Sequence, residues 1–161
     1  MPIHGPFDYL QLNKKDLETI RKIFLLVEKN KEDKKFKLYS ELYSRALLGE
    51  KTKTDIRFLL LVISLECLYM PEGGSRKKSK ISARAARIIC IFCKLGKSEE
   101  NIKREIKEIY EIRGELVHDG ESNKLNNLVF IELANYVRIS LNLYLKDKNL
   151  FSEKYLIAIK S

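Results

Sequence analysis

Proline occurs three times and glycine seven times in 161 residues. Turn formers this sparse argue against an all-β chain, which needs them between its many short strands. Cysteine is scarce as well: the chain has three, an odd number, and no segment at its start has the basic, apolar and small-residue order of an export signal. Together these imply a reducing, cytoplasmic location. Cys90 and Cys93 form CIFC, but inside an apolar helical pattern, with no second pair and two histidines in all. Core packing explains them better than a metal site, so neither metal nor cofactor is expected. Long apolar runs are missing too. The longest, Phe58 to Leu65, is broken by Glu66 and is far too short to cross a membrane.

What the chain has is charge and helical period. Charged residues make up 33 % and apolar residues 45 % of the composition, which excludes a wholly disordered chain and suits a helical surface rich in Lys and Glu. With 31 basic against 22 acidic residues the net charge is +9, a surplus that favours a polyanion such as RNA as partner. The length fits one domain that buries roughly 70 % of its unfolded surface.

Six longer helices and one short one are predicted. The first follows Asn13, with Asp16 as an imperfect capping box and Leu17, Ile20, Ile23 or Phe24, and Val27 on its apolar side. The second runs from about Lys34 to Leu48 and stops at Gly49. Thr54 caps the third, Asp55 to Met70, which is apolar almost all round and so should be the central, most buried helix. Pro71 ends it, and PEGGSRKKSK to Lys80 is the one long flexible connection. The fourth, about Ile81 to Leu95, stops at Gly96. Ser98 opens the fifth, which runs towards Val117 until HDGESN breaks it. The sixth spans Lys124 to about Lys146, and Ser152 caps a last short helix ending near Ile159. Short connections favour antiparallel neighbours, hence an up-and-down bundle.

Three charges interrupt apolar faces. Glu66 follows Val62 by four residues and Ile63 by three. Arg84 lies between Ile81 and Ile88. Arg113 falls on the stripe of Ile102, Ile106, Ile109 and Leu116. A guanidinium there is costly unless an anion meets it: a structural ion pair with Glu66, or a phosphate from outside. His118, followed by Asp119 and Gly120, stands where the fifth helix should end. Five helical residues turn a side chain by about 140°, so Arg113 and His118 diverge unless the helix ends near His118 or a second chain supplies a counterpart.

RGELVH, Arg113 to His118, resembles the arginine–four residues–histidine motif of the HEPN superfamily. The surroundings are similar to its Apea-like branch: RFLLLVISLECLYM, a Gly-containing loop, KISARAARII and IYEIRGELVHDG follow in the expected order. Leu65-Glu66, Arg84 and Tyr110 stand at their places. The resemblance covers about Arg57 to Gly120. It implies a single all-α domain, an up-and-down bundle with its core at about 54–146 and additional N- and C-terminal helices. It also implies a homodimer with a cleft across its axis and, in many members, metal-independent endoribonuclease activity in toxins or antiviral defence, where an antitoxin or regulatory protein is a possible partner.

Arg113 and His118 are then the catalytic pair, with Glu66, Arg84, Tyr110 and Asp119 in support. Ribose carries its own nucleophile, the 2′-hydroxyl. An imidazole can take that proton or protonate the leaving 5′-oxygen, and an arginine can stabilise charge on the phosphate oxygens. Products would be a 2′,3′-cyclic phosphate and a 5′-hydroxyl end. Arg76, Lys77, Lys78 and Lys80 of the loop are placed to track the RNA backbone. The chain departs from many active members at Gly114, where they have a polar residue. A catalytically silent module that binds RNA, a nucleotide or a protein is the alternative.

Overall fold

A computed structural model describes residues 14–49, 52–71, 75–93 and 95–159, and every regular element among them is helical. The helices are α1 (Lys14–Asn30), α2 (Lys34–Leu48), α3 (Thr54–Tyr69), α4 (Lys77–Phe92), α5 (Glu99–His118), α6 (Asn127–Lys146) and α7 (Glu153–Ala158), with a 3-10 turn at Lys148–Phe151. They form an all-α bundle in which α3 is the hub, packing against α2, α4, α5 and α6.

Local chemistry sets the element ends. The Asp33 carboxylate caps α2, accepting from the amides of Lys35 at 2.9 Å and Phe36 at 3.2 Å. It also receives the Tyr144 hydroxyl at 3.1 Å and lies 3.7 Å from the Lys148 ammonium, so one cap ties α2 to the far end of α6. Burial works against this carboxylate, but the amides, the phenol and the ammonium outweigh it and hold its pKa below the usual value. At the other end of α2, Arg57 of α3 donates to the carbonyls of Ala46 at 2.5 Å and Leu47 at 3.2 Å, satisfying groups the helix leaves open. Its guanidinium lies 5.0 Å from the centre of the Phe130 ring, which extends the tie to α6. Ser98 and Asn126 cap α5 and α6 with their side-chain oxygens.

The core is aliphatic and aromatic: Phe58, Leu61 and Leu65 of α3 meet Ile88 and Ile89 of α4, Ile102 and Ile106 of α5, and Leu133 of α6, all fully enclosed. Tyr69 is completely buried, and its hydroxyl shares a 2.7 Å hydrogen bond with Ser140, which donates on to the Tyr136 carbonyl at 2.7 Å. The chain thus places a phenol in the core and provides its partner there.

Three sequence expectations need correction. α4 begins at Lys77, inside the stretch expected to be loop, and ends at Phe92 rather than near Gly96. Thr54 is the first residue of α3 and does not cap it; Lys53 precedes it without a side-chain cap. α3 is also less buried than its composition implies. Ile56 and Ile63 are 48 % and 44 % exposed, and Leu59, Leu60 and Cys67 are half-buried on the same arc. One face of the most apolar helix is left uncovered.

Candidate functional site

The buried face of α5 is made by Ile102, Ile106, Ile109, Tyr110, Ile112 and Leu116. At about 100° per residue Arg113 falls inside this arc. Its side chain nevertheless keeps 38 % of its surface, and Val117, one turn on, is 51 % exposed. The bundle does not close over the last turns of α5, so a position patterned for the core opens to the surface.

Glu66 of α3 reaches this opening. Its Oε1 lies 3.9 Å from Arg113 Nε, and its Oε2 accepts from Lys77 Nζ at 3.2 Å. The carboxylate, 16 % exposed, therefore bridges cations from α4 and α5. Tyr110 lies beside it, its hydroxyl buried without a hydrogen-bond partner among the described residues. Burial, then the Glu66 charge, pushes the phenol's pKa up, with Arg113 opposing. Burial, then Glu66, likewise raises the Cys67 thiol. The site is a two-cation, one-carboxylate cluster at the edge of the open α3 face.

Arg84 goes elsewhere. It is 3 % exposed and donates to the Tyr69 carbonyl at 2.8 Å, at the C-terminal end of α3, where the helix dipole is negative. The ion pairs of Glu66 go to Lys77 and Arg113 instead. Expecting Glu66 to meet both arginines misses that Arg84 faces inward from α4 while Glu66 sits at the edge of α3.

The loop cations gather where α4 begins. Arg76 adopts a left-handed conformation, φ 59°, and gives α4 no side-chain cap. Lys77 and Lys78 occupy its first turn, Lys80 is half-buried one turn on, and Lys78 donates to Glu111 at 2.7 Å. Cations at a helix N-terminus add to its positive end rather than offset it. The result is a concentration of positive potential beside Arg113, suited to an anion.

His118 lies apart from that cluster. α5 continues unbroken to it, and the amide of Asp119 still donates to the Glu115 carbonyl at 2.7 Å. Helical geometry therefore holds Arg113 and His118 about 140° apart around the axis and about 7.5 Å along it. His118 and Asp119 are both exposed, and the His118 side chain makes no hydrogen bond among the described residues. Within one chain the structure unites Glu66, Lys77, Tyr110 and Arg113, and leaves His118 and Asp119 outside. Gly114 faces open space: a Cβ there would meet nothing within 4 Å.

Sequence reasoning missed Lys77 as a partner of Glu66 because it read the basic run as loop. It also missed the open arc of α3, since an all-round apolar helix carries no periodic signal of which face is covered. Among the described residues no three His, Cys, Asp or Glu side chains gather as a metal site. α6 is the one described helix long and apolar enough to cross a membrane, and half of that stretch is buried in the bundle. No family model, curated protein or solved structure matches the chain.

Proposed function

We propose that the protein is a metal-independent endoribonuclease of the HEPN type, a toxin or antiviral defence factor, whose working site is composite and formed by two copies of the chain. The observation that carries this reading is Arg113 itself, a core-patterned arginine left 38 % exposed beside an uncovered apolar helix face. A second chain lying on α3 and the last turns of α5 would enclose that arginine and bring its own His118 within reach. A single chain cannot, because α5 stays helical between the two residues.

In this reading Arg113 and Lys77 hold a scissile phosphate, displacing the Glu66 carboxylate that lies between them. Charge developing on the phosphate oxygens is stabilised by the guanidinium. The partner copy's imidazole moves the proton to or from ribose oxygens. Arg76, Lys78 and Lys80 follow the flanking backbone. The nucleophile is the substrate's own 2′-hydroxyl.

A silent module that binds RNA, a nucleotide or a protein is favoured by one observation: His118 is exposed and nothing among the described residues orients its ring. One experiment separates the two. Purified protein is incubated with total RNA in EDTA beside His118→Ala. The ribonuclease reading expects cleavage with 2′,3′-cyclic phosphate ends that falls by ~10²-fold or more in the variant. Binding without cleavage selects the silent module. Equal cleavage by both proteins assigns the activity to a contaminant or to another site.

A further inference from the structure

Tyr110 is left unserved in the free chain. It is 8 % exposed and belongs to the core, and its hydroxyl is buried with no hydrogen-bond partner among the described residues. A buried donor without an acceptor costs stability, and removing the oxygen alone would relieve that cost. Tyr110 and Arg113 stand three residues apart on α5, so their side chains share one face of the helix. Burial, then the Glu66 carboxylate, raises the phenol's pKa while Arg113 opposes. The hydroxyl therefore keeps its proton, close to a carboxylate that it does not bond.

The cations around Glu66 explain why the two do not meet. Oε2 accepts from Lys77 Nζ at 3.2 Å, and Oε1 lies 3.9 Å from Arg113 Nε, an ion pair too long for a hydrogen bond. Both cations are more than a third exposed, and they come from different helices. An entering phosphate brings oxygens for both and a charge of the same sign as Glu66. The carboxylate then loses its cations. At 16 % exposure it has little water to turn to, and a carboxylate enclosed without a partner is costly. The donor beside it that lacks an acceptor is the Tyr110 hydroxyl.

We propose that Tyr110 is a positioning residue that acts through Glu66: a phosphate takes Arg113 and Lys77, and the displaced Glu66 carboxylate turns to accept the Tyr110 hydroxyl. The orphaned phenol belongs to the free state. On binding it makes a charge-assisted hydrogen bond, which offsets part of the loss of two ion pairs. This inference rests on a phosphate entering at Arg113, a step the ribonuclease reading and the silent module share, and it does not depend on cleavage.

The probe is a short single-stranded DNA, which carries phosphates but no 2′-hydroxyl, followed by fluorescence anisotropy at one ionic strength. Tyr110→Phe should weaken it about tenfold, the usual worth of a hydrogen bond to a charged group. Urea unfolding of the same variant without DNA should show stability unchanged or raised, whereas a purely structural role would lower both. In a Glu66→Leu background, Tyr110→Phe should leave the affinity where it is. Parental affinity in Tyr110→Phe overturns the proposal. An equal loss in the Glu66→Leu background also overturns it, because the hydroxyl would then touch the phosphate directly. Should a variant not fold, the parent protein decides through its ring-labelled tyrosines: saturating DNA should shift the Tyr110 Cζ resonance, and no shift overturns the proposal. Parental DNA affinity in Arg113→Ala overturns it too, by placing the anion elsewhere. RNA left uncleaved in EDTA removes the ribonuclease reading alone and leaves the Tyr110–Glu66 exchange standing.

Discussion

At the scale of single residues, Glu66 governs the candidate site because one carboxylate serves two cations from different helices. Both cations keep more than a third of their surface in water, Arg113 at 38 % and Lys77 at 46 % exposure, so the pairs resemble surface bridges more than buried ones. Glu66→Leu should therefore destabilise by only ~1 kcal/mol, read by urea unfolding. It should also tighten retention on immobilised RNA, because it removes the anion competing for Arg113 and Lys77. A loss of several kcal/mol would mean that the pair is structural in the manner of a buried bridge. Asp33 is the contrasting case. Its folded pKa is depressed, so its contribution is present above the unfolded value of about 3.9 and is lost as pH falls through the folded one. Between pH 7 and acid pH the parent protein should lose more unfolding free energy than Asp33→Asn, which keeps a capping oxygen but does not titrate. Parallel stability-against-pH curves would remove Asp33 from the account. That Glu66 and Arg113 meet could be foreseen from two charges on apolar faces. That Arg84 turns to a carbonyl could not, because a backbone oxygen leaves no mark in a residue pattern.

At the scale of elements, α3 and α5 show where periodicity carries information and where it does not. α5 has a clean apolar arc with Arg113 inside it, so the burial of Ile102, Ile106, Ile109 and Leu116 could be read directly. α3 is apolar on every side, and its covered face had to come from its neighbours. Gly114 tests both helices. A Cβ there meets nothing in the single chain, and Gly costs a helix interior about 1 kcal/mol relative to Ala. Gly114→Ala should accordingly stabilise the isolated chain by up to that amount in chemical denaturation at high dilution. If a partner helix closes over Gly114, the same variant should weaken self-association at higher concentration. An unchanged dimer would place the two-fold contact away from Gly114.

At the scale of the whole molecule, a net charge of +9 makes two copies repel except where they meet on an uncharged face. The arc of Ile56, Leu59, Leu60 and Ile63 is such a face. Ile63→Glu should turn a dimer into a monomer in sedimentation analysis while leaving the helical circular dichroism intact, because the side chain is already 44 % exposed. RNA cleavage should fall with the dimer if the site is composite. Full cleavage by a monomeric Ile63→Glu protein would mean that one chain suffices.

The sequence alone determined the fold class, the number of helices and most of their ends. Those rest on local physics: a 3.6-residue period, capping oxygens at Asp33, Ser98 and Ser152, and few residues that break a helix. The tertiary structure decided the rest, through contacts between residues far apart in the chain. It set the early start of α4, whose first lysine pairs with Glu66 eleven residues before it. It turned Arg84 inward, and it left one side of α3 and the end of α5 open. It also kept α5 helical through His118, which separates that residue from Arg113. Such outcomes depend on which neighbours cover a given surface, and a helical period measures only how apolar that surface is.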